Sequence, residues 1–464
     1  MRRTRALWVV LTVTAILPLT TAAAHAAART DVHGVAVRQG PFQRYKASSL
    51  ANSKFDITTQ YVDVEDTTGA PGRPDIIWLQ FRWADYEQTN NHWNATIEAN
   101  LRASAKAACL GGFRLALQVR AGADAPIGRP GVAGYPSWLT DGSVAGVDVD
   151  YVTTWATELT LDSAHFADTT YQPGSTNDPN QRVHVPFVAP DTGASYTAYM
   201  TQYRQMVTRV TSVLDDRMHS SDASCEGATF GAQFALMSMS APTELGTEAA
   251  IGFGKVGLAS VTTQARQDAN AAAWLAKANT YTGFNDDAQN LAWLRDEYEA
   301  AWLQTATDQI KAFDNSPNGT NLSASLYQVF AGGPMFGDDW AHVDAYISAE
   351  THVSKILMFV KTLSGPATWN GSSGDTFLSD AEAAGFRIGG LMNGSIDGQT
   401  VVDAIENALT RYATADLFEV TDTRVADGAK RFASLTWPTG SCSNCRLRDY
   451  LYGSVSGSNL AGRL

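Results

Sequence analysis

The chain has no G-x-S-x-G nucleophile elbow, no H-E-x-x-H zinc motif, no P-loop and no G-x-G-x-x-G after an early strand. Serine-esterase, zinc-protease, nucleotide and dinucleotide chemistry lose their sequence support with them. None of the eight histidines falls into a ligand spacing, so no metal site is expected, and nothing points to an organic cofactor. Base is scarce: 34 Lys and Arg stand against 47 Asp and Glu, a formal charge of -13. Without a basic patch, nucleic acid and anionic membranes are excluded as partners. After the first 26 residues, no apolar stretch is long enough to cross a bilayer.

Those 26 residues read as a secretory signal. Arg2, Arg3 and Arg5 precede an apolar core from Ala6 to Leu19, and Ala24-His25-Ala26 supplies the small-residue cleavage site. The expected mature protein is therefore secreted (extracellular), free of the membrane after cleavage. Its expected organisation is a domain over 27–440 and a C-terminal tail over 441–464.

Export makes disulfides of the four cysteines. Cys109 ends a helical segment just before a strand, and Cys225 also lies just before a strand, so a Cys109–Cys225 bridge is expected on the face opposite the strands' C-terminal ends. Cys442 and Cys445, spaced C-x-x-C in a Gly/Ser-rich tail, are expected to form a second, tight bridge.

Alternation organises what remains. Leu79-Gln80-Phe81-Arg82 and Leu117-Gln118-Val119-Arg120 each follow an apolar run and, as strands, send Gln and Arg to one face and the apolar residues to the other. Between them Trp93, Ile97, Leu101, Ala105 and Ala108 recur at helical spacing up to Gly111-Gly112. Strand, helix, strand is the unit of parallel sheets and of the (β/α)8 TIM barrel. Strands are expected at Phe55–Val64, Ile76–Trp83, Phe113–Ala121, Ala228–Ser240, Leu322–Phe330, Phe386–Met392 and Asp416–Val420, with the missing eighth between Ile251 and Val261. Three further helices are marked by Tyr199, Tyr203, Met206, Val210 and Val213; by Leu291, Leu294, Tyr298 and Trp302; and by Val402, Ile405, Leu409 and Tyr412. The fold class is α/β, a barrel with long loops on its C-terminal face, the longest over 122–195 and expected to wall a cleft; an open doubly wound sheet is the alternative.

Twelve Trp, sixteen Tyr and eighteen Phe are generous, and Trp83, Trp138, Trp340 and Trp369 sit in loop-like contexts. Loop aromatics suit the apolar faces of sugar rings, although core packing is the commoner use. Carboxylates at strand ends supply the chemistry. Glu244 emerges just past the strand ending at Ser240; it could also open a helix capped by Thr243. Glu419 sits among apolar neighbours on the last strand, where an ionised carboxylate is costly unless paired with Arg424 or Arg82, or working. Arg82 and Arg120 at strand ends could hold a nearby carboxylate ionised or simply pair within the barrel.

The run Ile76 to Glu87 resembles the "strand, then W-x-x-[LY]-E" opening of secreted (β/α)8 glycoside hydrolases of the clan A type, including β-galactosidase-like members. Leu115 to Gly122 with Pro136-Ser137-Trp138-Leu139 is similar to the "L-x-V-x-A-G … P-x-W" element of the same group, and the likeness spans roughly residues 76 to 302. The resemblance implies a glycosidase cleaving O-glycosidic bonds of a poly- or oligosaccharide, with Glu244 as general acid/base after the fourth strand. Thr243 stands where an Asn is usual. The nucleophile belongs after the seventh strand, where this chain offers Asn393 and Asp397, so Glu419 is the nearest substitute. Arg82, Trp83, Glu87, Arg120, Trp138, Gln328 and Asn393 are the expected substrate-binding residues. The rival readings are a non-catalytic carbohydrate-binding barrel and a lyase using Tyr or His184 as base.

Overall fold

In the computed structural model, the described residues are 34–38, 76–111, 114–121, 134–155, 182–239, 264–318, 322–328, 355–361, 379–393 and 415–421. In chain order the elements are β1 (Gly34–Arg38), β2 (Ile76–Arg82), the single turn α1 (Trp83–Tyr86), β3 (Glu87–Thr89), β4 (His92–Trp93), α2 (Ala95–Gly111), β5 (Arg114–Arg120), β6 (Tyr151–Trp155), β7 (Arg182–Pro186), α3 (Ala194–Asp215), β8 (Phe234–Met239), α4 (Gln264–Thr282), α5 (Asp287–Asp314), β9 (Ser323–Gln328), β10 (Ile356–Lys361), β11 (Arg387–Asn393) and β12 (Ala415–Thr421).

Eight of these strands pair in parallel and close on themselves in the order β1-β12-β11-β10-β9-β8-β5-β2. The fold is α/β. Parallel neighbours need crossovers, and α2, between β2 and β5, supplies one of them. On β5, Leu115, Leu117 and Val119 are fully buried in one cluster with Ile97, Leu101, Ala105 and Ala108 of α2 and with Tyr199, Tyr203, Met206, Val210 and Val213 of α3. The odd-numbered positions of β5 therefore face the helices, and the intervening Ala116 and Gln118 fall on the inner face of the ring.

Six of the seven expected strands and three of the four expected helical patterns are present, with Trp93 in β4 rather than in α2. The fourth helix pattern, at Val402 to Tyr412, lies outside the described residues. The expected Ala228 start of β8 is shifted, because a 3-10 turn at Phe230–Gln233, capped by the Thr229 hydroxyl, precedes the strand at Phe234. Phe55–Val64 and the 251–261 segment lie outside the described residues, and the ring closes with β1 and β10 as its remaining members.

The Cys109–Cys225 bridge is present, with Cα atoms 6.0 Å apart. It joins the end of α2 to the segment ahead of β8, at the base of the ring, and Arg102–Asp216 at 2.7 Å adds an ion pair between the same two pieces. Cys442 and Cys445 lie outside the described residues. The long connection after β5 contains a 3-10 turn at Ser137–Leu139 and the antiparallel strand pair β6–β7. No described helix is long and apolar enough to cross a membrane.

Candidate active site

A parallel ring gathers the last residue of every strand on one rim. Arg82 ends β2, Arg120 ends β5, Gln328 ends β9 and Asn393 ends β11. Arg82 and Arg120 are register partners, as are Asn393 and Thr421. Glu419 lies on β12 near this rim, at the level of Ala36 on β1 and Leu391 on β11. Four sequence-selected polar residues and one carboxylate thus share one end of the ring. Glu244 lies outside the described residues.

Three expected sugar contacts are structural instead. Trp83 is fully buried. Its Nε1 donates to Glu87 Oε2 at 2.8 Å, and its ring meets those of Trp138, Tyr199 and Tyr203 edge-on at 6.3, 5.8 and 6.2 Å. Trp138 is buried as well, its Nε1 donating to the Glu87 backbone oxygen at 3.1 Å. Neither indole has a face left for a sugar, because both are buried, Trp83 beneath Tyr199 and Tyr203 of α3. Glu87 is also buried, and its other oxygen accepts from the Asn91 backbone N–H at 2.7 Å. Burial pushes its carboxyl above the usual range, an effect opposed by the bonds from Trp83 and Asn91. Glu87 organises the turn beyond β2 and does not face a ligand.

Arg82 is committed too. Its Nε and Nη2 reach Asp85 Oδ2 and Oδ1 at 2.8 and 2.6 Å, a bidentate pair with both partners largely buried. The carboxylate it pairs with is therefore Asp85, not a reacting group. The i,i+3 and i,i+4 spacings of Arg82/Asp85 and Trp83/Glu87 are the signal for both corrections, since one helical turn brings such pairs together.

Gln118 was not among the expected site residues. It is 4 % exposed, lies on the inner face of β5 two residues before Arg120, and its Oε1 has no hydrogen-bond partner among the described residues. A buried carbonyl oxygen left without a donor costs about 1–3 kcal/mol. Its register partners are Gln80 on β2 and Ser238 on β8, so three polar residues occupy one level just inside the rim. The Gln118 amide oxygen at this level can accept a hydrogen bond from a hydroxyl-rich ligand entering from the mouth.

A groove of about 590 Å³ lies elsewhere, along the outer face of α3 beside Trp93. Its two arginines are already engaged, Arg204 with Asp308 and Arg209 with Glu98. Among the described residues, no three His, Cys, Asp or Glu side chains gather as metal ligands.

The chain matches no family model and no curated protein. Among solved structures it is similar to a broad-specificity endoglucanase of family GH5-4 from an uncultured bacterium, at 11% identity over 87% of this chain and 94% of that one, with a TM-score of 0.41. A glycoside hydrolase family 5 enzyme from Prevotella bryantii B14 gives 9%, 84%, 89% and 0.38 in the same order. Endo-glycoceramidase II from Rhodococcus sp. gives 10%, 88%, 75% and 0.37. Likeness at this level carries no weight for activity, and the ring is established by its own strand pairing.

Proposed function

We propose that the chain is a secreted glycoside hydrolase on a complete (β/α)8 barrel with long loops on its C-terminal face, cleaving O-glycosidic bonds of a poly- or oligosaccharide. One observation supports the reading above others: Arg82, Arg120, Gln328 and Asn393, four of the expected substrate-binding residues, are each the last residue of a strand in a closed parallel ring. Catalytic groups of such barrels gather on that rim. In this reading residues 1–26 are the cleaved signal, 27–440 the catalytic barrel and 441–464 a tail closed by Cys442–Cys445.

Glu244, following β8 in the chain, would protonate the leaving oxygen. Glu419 would attack the anomeric carbon or activate a water against it. With Arg82 occupied by Asp85, Arg120 is the one of the two expected arginines that would pair with Glu419, and Gln118, Gln328 and Asn393 would supply hydrogen bonds to sugar hydroxyls. No cofactor enters this chemistry.

The test is turnover of Glu244→Gln and Glu419→Gln on a panel of plant and microbial polysaccharides, with folding checked by circular dichroism. Each variant should lose several orders of magnitude in kcat. Wild-type turnover in either removes that residue from the mechanism.

A second reading is favoured by one observation. Asn393, not a glutamate, ends the seventh strand of the ring in chain order, where the resemblance implies the nucleophile. A binding barrel without catalysis would keep glycan affinity and release no reducing ends.

A further inference from the structure

The aromatic platform that Trp83 and Trp138 do not provide is built elsewhere. We propose that Tyr281 and Trp293, seated on Phe187, form a rigid ledge beyond the barrel mouth that binds a neutral sugar chain outside the cleavage site; the choice of sugar as ligand rests on the glycosidase reading above.

The ledge's position follows from the length of α5. Its last residue, Asp314, is ion-paired at 2.7 Å with Lys355, which immediately precedes β10, so this end of the helix lies at the base of the ring. Twenty-eight residues rise about 42 Å, whereas ring strands of six or seven residues rise about 20–23 Å. The first turns of α5 therefore stand past the rim, Trp293, about 31 Å from Asp314, by roughly 10 Å. There they meet the end of α4, which carries Tyr281, and the chain around the β6–β7 strand pair, which contributes Asp150, Phe187 and Asp191.

The three rings lie close to parallel. Tyr281 is 11° from Phe187 with centroids 5.6 Å apart, Trp293 is 27° from Phe187 at 6.2 Å, and Tyr281 and Trp293 differ by 17° at 6.3 Å. Phe187 is fully buried, while Tyr281 is 38 % and the nearby Phe284 46 % exposed. The polar edges of the outer pair are fixed from within: the Tyr281 hydroxyl donates to Asp150, itself paired with Lys277, and Trp293 Nε1 donates to Asp191 at 3.4 Å. Rings held at their edges and open on a face lose little freedom when a flat apolar ligand settles on them.

The surroundings choose the ligand. Asp148, Asp191, Asp286 and Asp287 are exposed around the ledge and repel phosphates and anionic headgroups, while their oxygens accept bonds from hydroxyls. A patch of three rings is far smaller than the roughly 1,200–2,000 Å² of a stable protein interface. A pyranose, apolar across its C–H face and rich in donors at its rim, satisfies both halves of the site. A chain touching this ledge and the mouth together must be a long oligosaccharide or a polymer.

The experiment is affinity electrophoresis of the full chain in gels containing xyloglucan, galactomannan or mixed-linkage β-glucan. Wild type should be retarded by at least one of these. Trp293→Ala and Tyr281→Ala should each weaken the dissociation constant roughly tenfold, by loss of one stacking partner. Leu110→Ala, a change at an exposed apolar residue on α2, should migrate as wild type. Migration of wild type unaltered by all three glycans, or equal retardation of the two ledge variants with melting temperatures matching wild type, overturns the ledge. So does a wild-type dimer in sedimentation that Trp293→Ala dissolves, which would make these rings a self-association face. Retardation without reducing-end release removes the hydrolase reading and leaves the ledge in place.

Discussion

Glu98 on α2 is gripped by both arms of Arg209 on α3, Nε to Oε1 at 2.8 Å and Nη2 to Oε2 at 2.9 Å, while the Tyr86 hydroxyl donates to Oε1 at 2.9 Å. The pair locks two neighbouring helices of the outer layer in register and raises the Arg209 guanidinium above its ordinary range, through the bond to Glu98. Burial, with the adjacent Glu98 carboxylate, raises the Tyr86 phenol.

Arg209→Met is expected to cost about 1–3 kcal/mol, because Glu98 is nearly buried and would keep only Tyr86 and a distant Arg102; the partial exposure of Arg209 keeps the figure modest. Urea unfolding of both single variants and of Glu98→Gln/Arg209→Met together gives the coupling, expected near 1 kcal/mol. Strict additivity would show that the grip contributes nothing to stability.

Glu87 makes stability depend on pH with a definite sign. Its folded pKa lies above the unfolded value of 4.5, chiefly through burial. The protonated form is thus favoured by folding, and this group's contribution is full below pH 4.5 and is lost as pH rises through the folded pKa. Glu87→Gln should flatten that part of the melting-temperature profile. It should also lower stability by about 1–3 kcal/mol at every pH, since an amide NH₂ would then oppose one of the donors from Trp83 and Asn91.

Gln118→Leu separates a binding role from a packing role. A buried, unpartnered carbonyl oxygen is removed, so the melting temperature should stay level or rise slightly. If Gln118 accepts from a sugar hydroxyl, KM for a susceptible glycan rises roughly tenfold. A marked fall in melting temperature at unchanged KM would assign Gln118 to the barrel's own support.

Replacing both Cys109 and Cys225 by Ala opens a loop spanning 116 residues and should lower stability by about 4–5 kcal/mol on the chain-entropy account. Because the bridge lies at the base, glycan affinity at 25 °C should survive. Calorimetry paired with the electrophoretic assay checks both halves.

Much of the ring is legible along the chain because alternation is local. Gln80-Phe81-Arg82 and Gln118-Val119-Arg120 announce a polar inner face on two paired strands, and both end on the rim. β10 escaped notice because Ile-Leu-Met-Phe-Val is uniformly apolar and has no period to read. The five-residue β1 is too short to stand out. The site was less legible, since whether an aromatic is core or platform depends on what packs over it. Tyr199 and Tyr203, more than a hundred residues away in the chain, bury Trp83. The exposed ring of Tyr281 and the half-buried ring of Trp293 sit on helices whose overshoot past the rim depends on where Asp314 is anchored. The fate of Arg82 was within reach, as Asp85 follows it at helical spacing.

Closing eight parallel strands on themselves leaves the main sheet with no free margin onto which another chain could add. Among the described residues, unsatisfied strand borders remain only in the two-stranded β3–β4 and β6–β7 ribbons. Aggregation by strand addition would therefore start at those ribbons, of which β6–β7, five residues long on each side, is the longer and has α4 packed against β6.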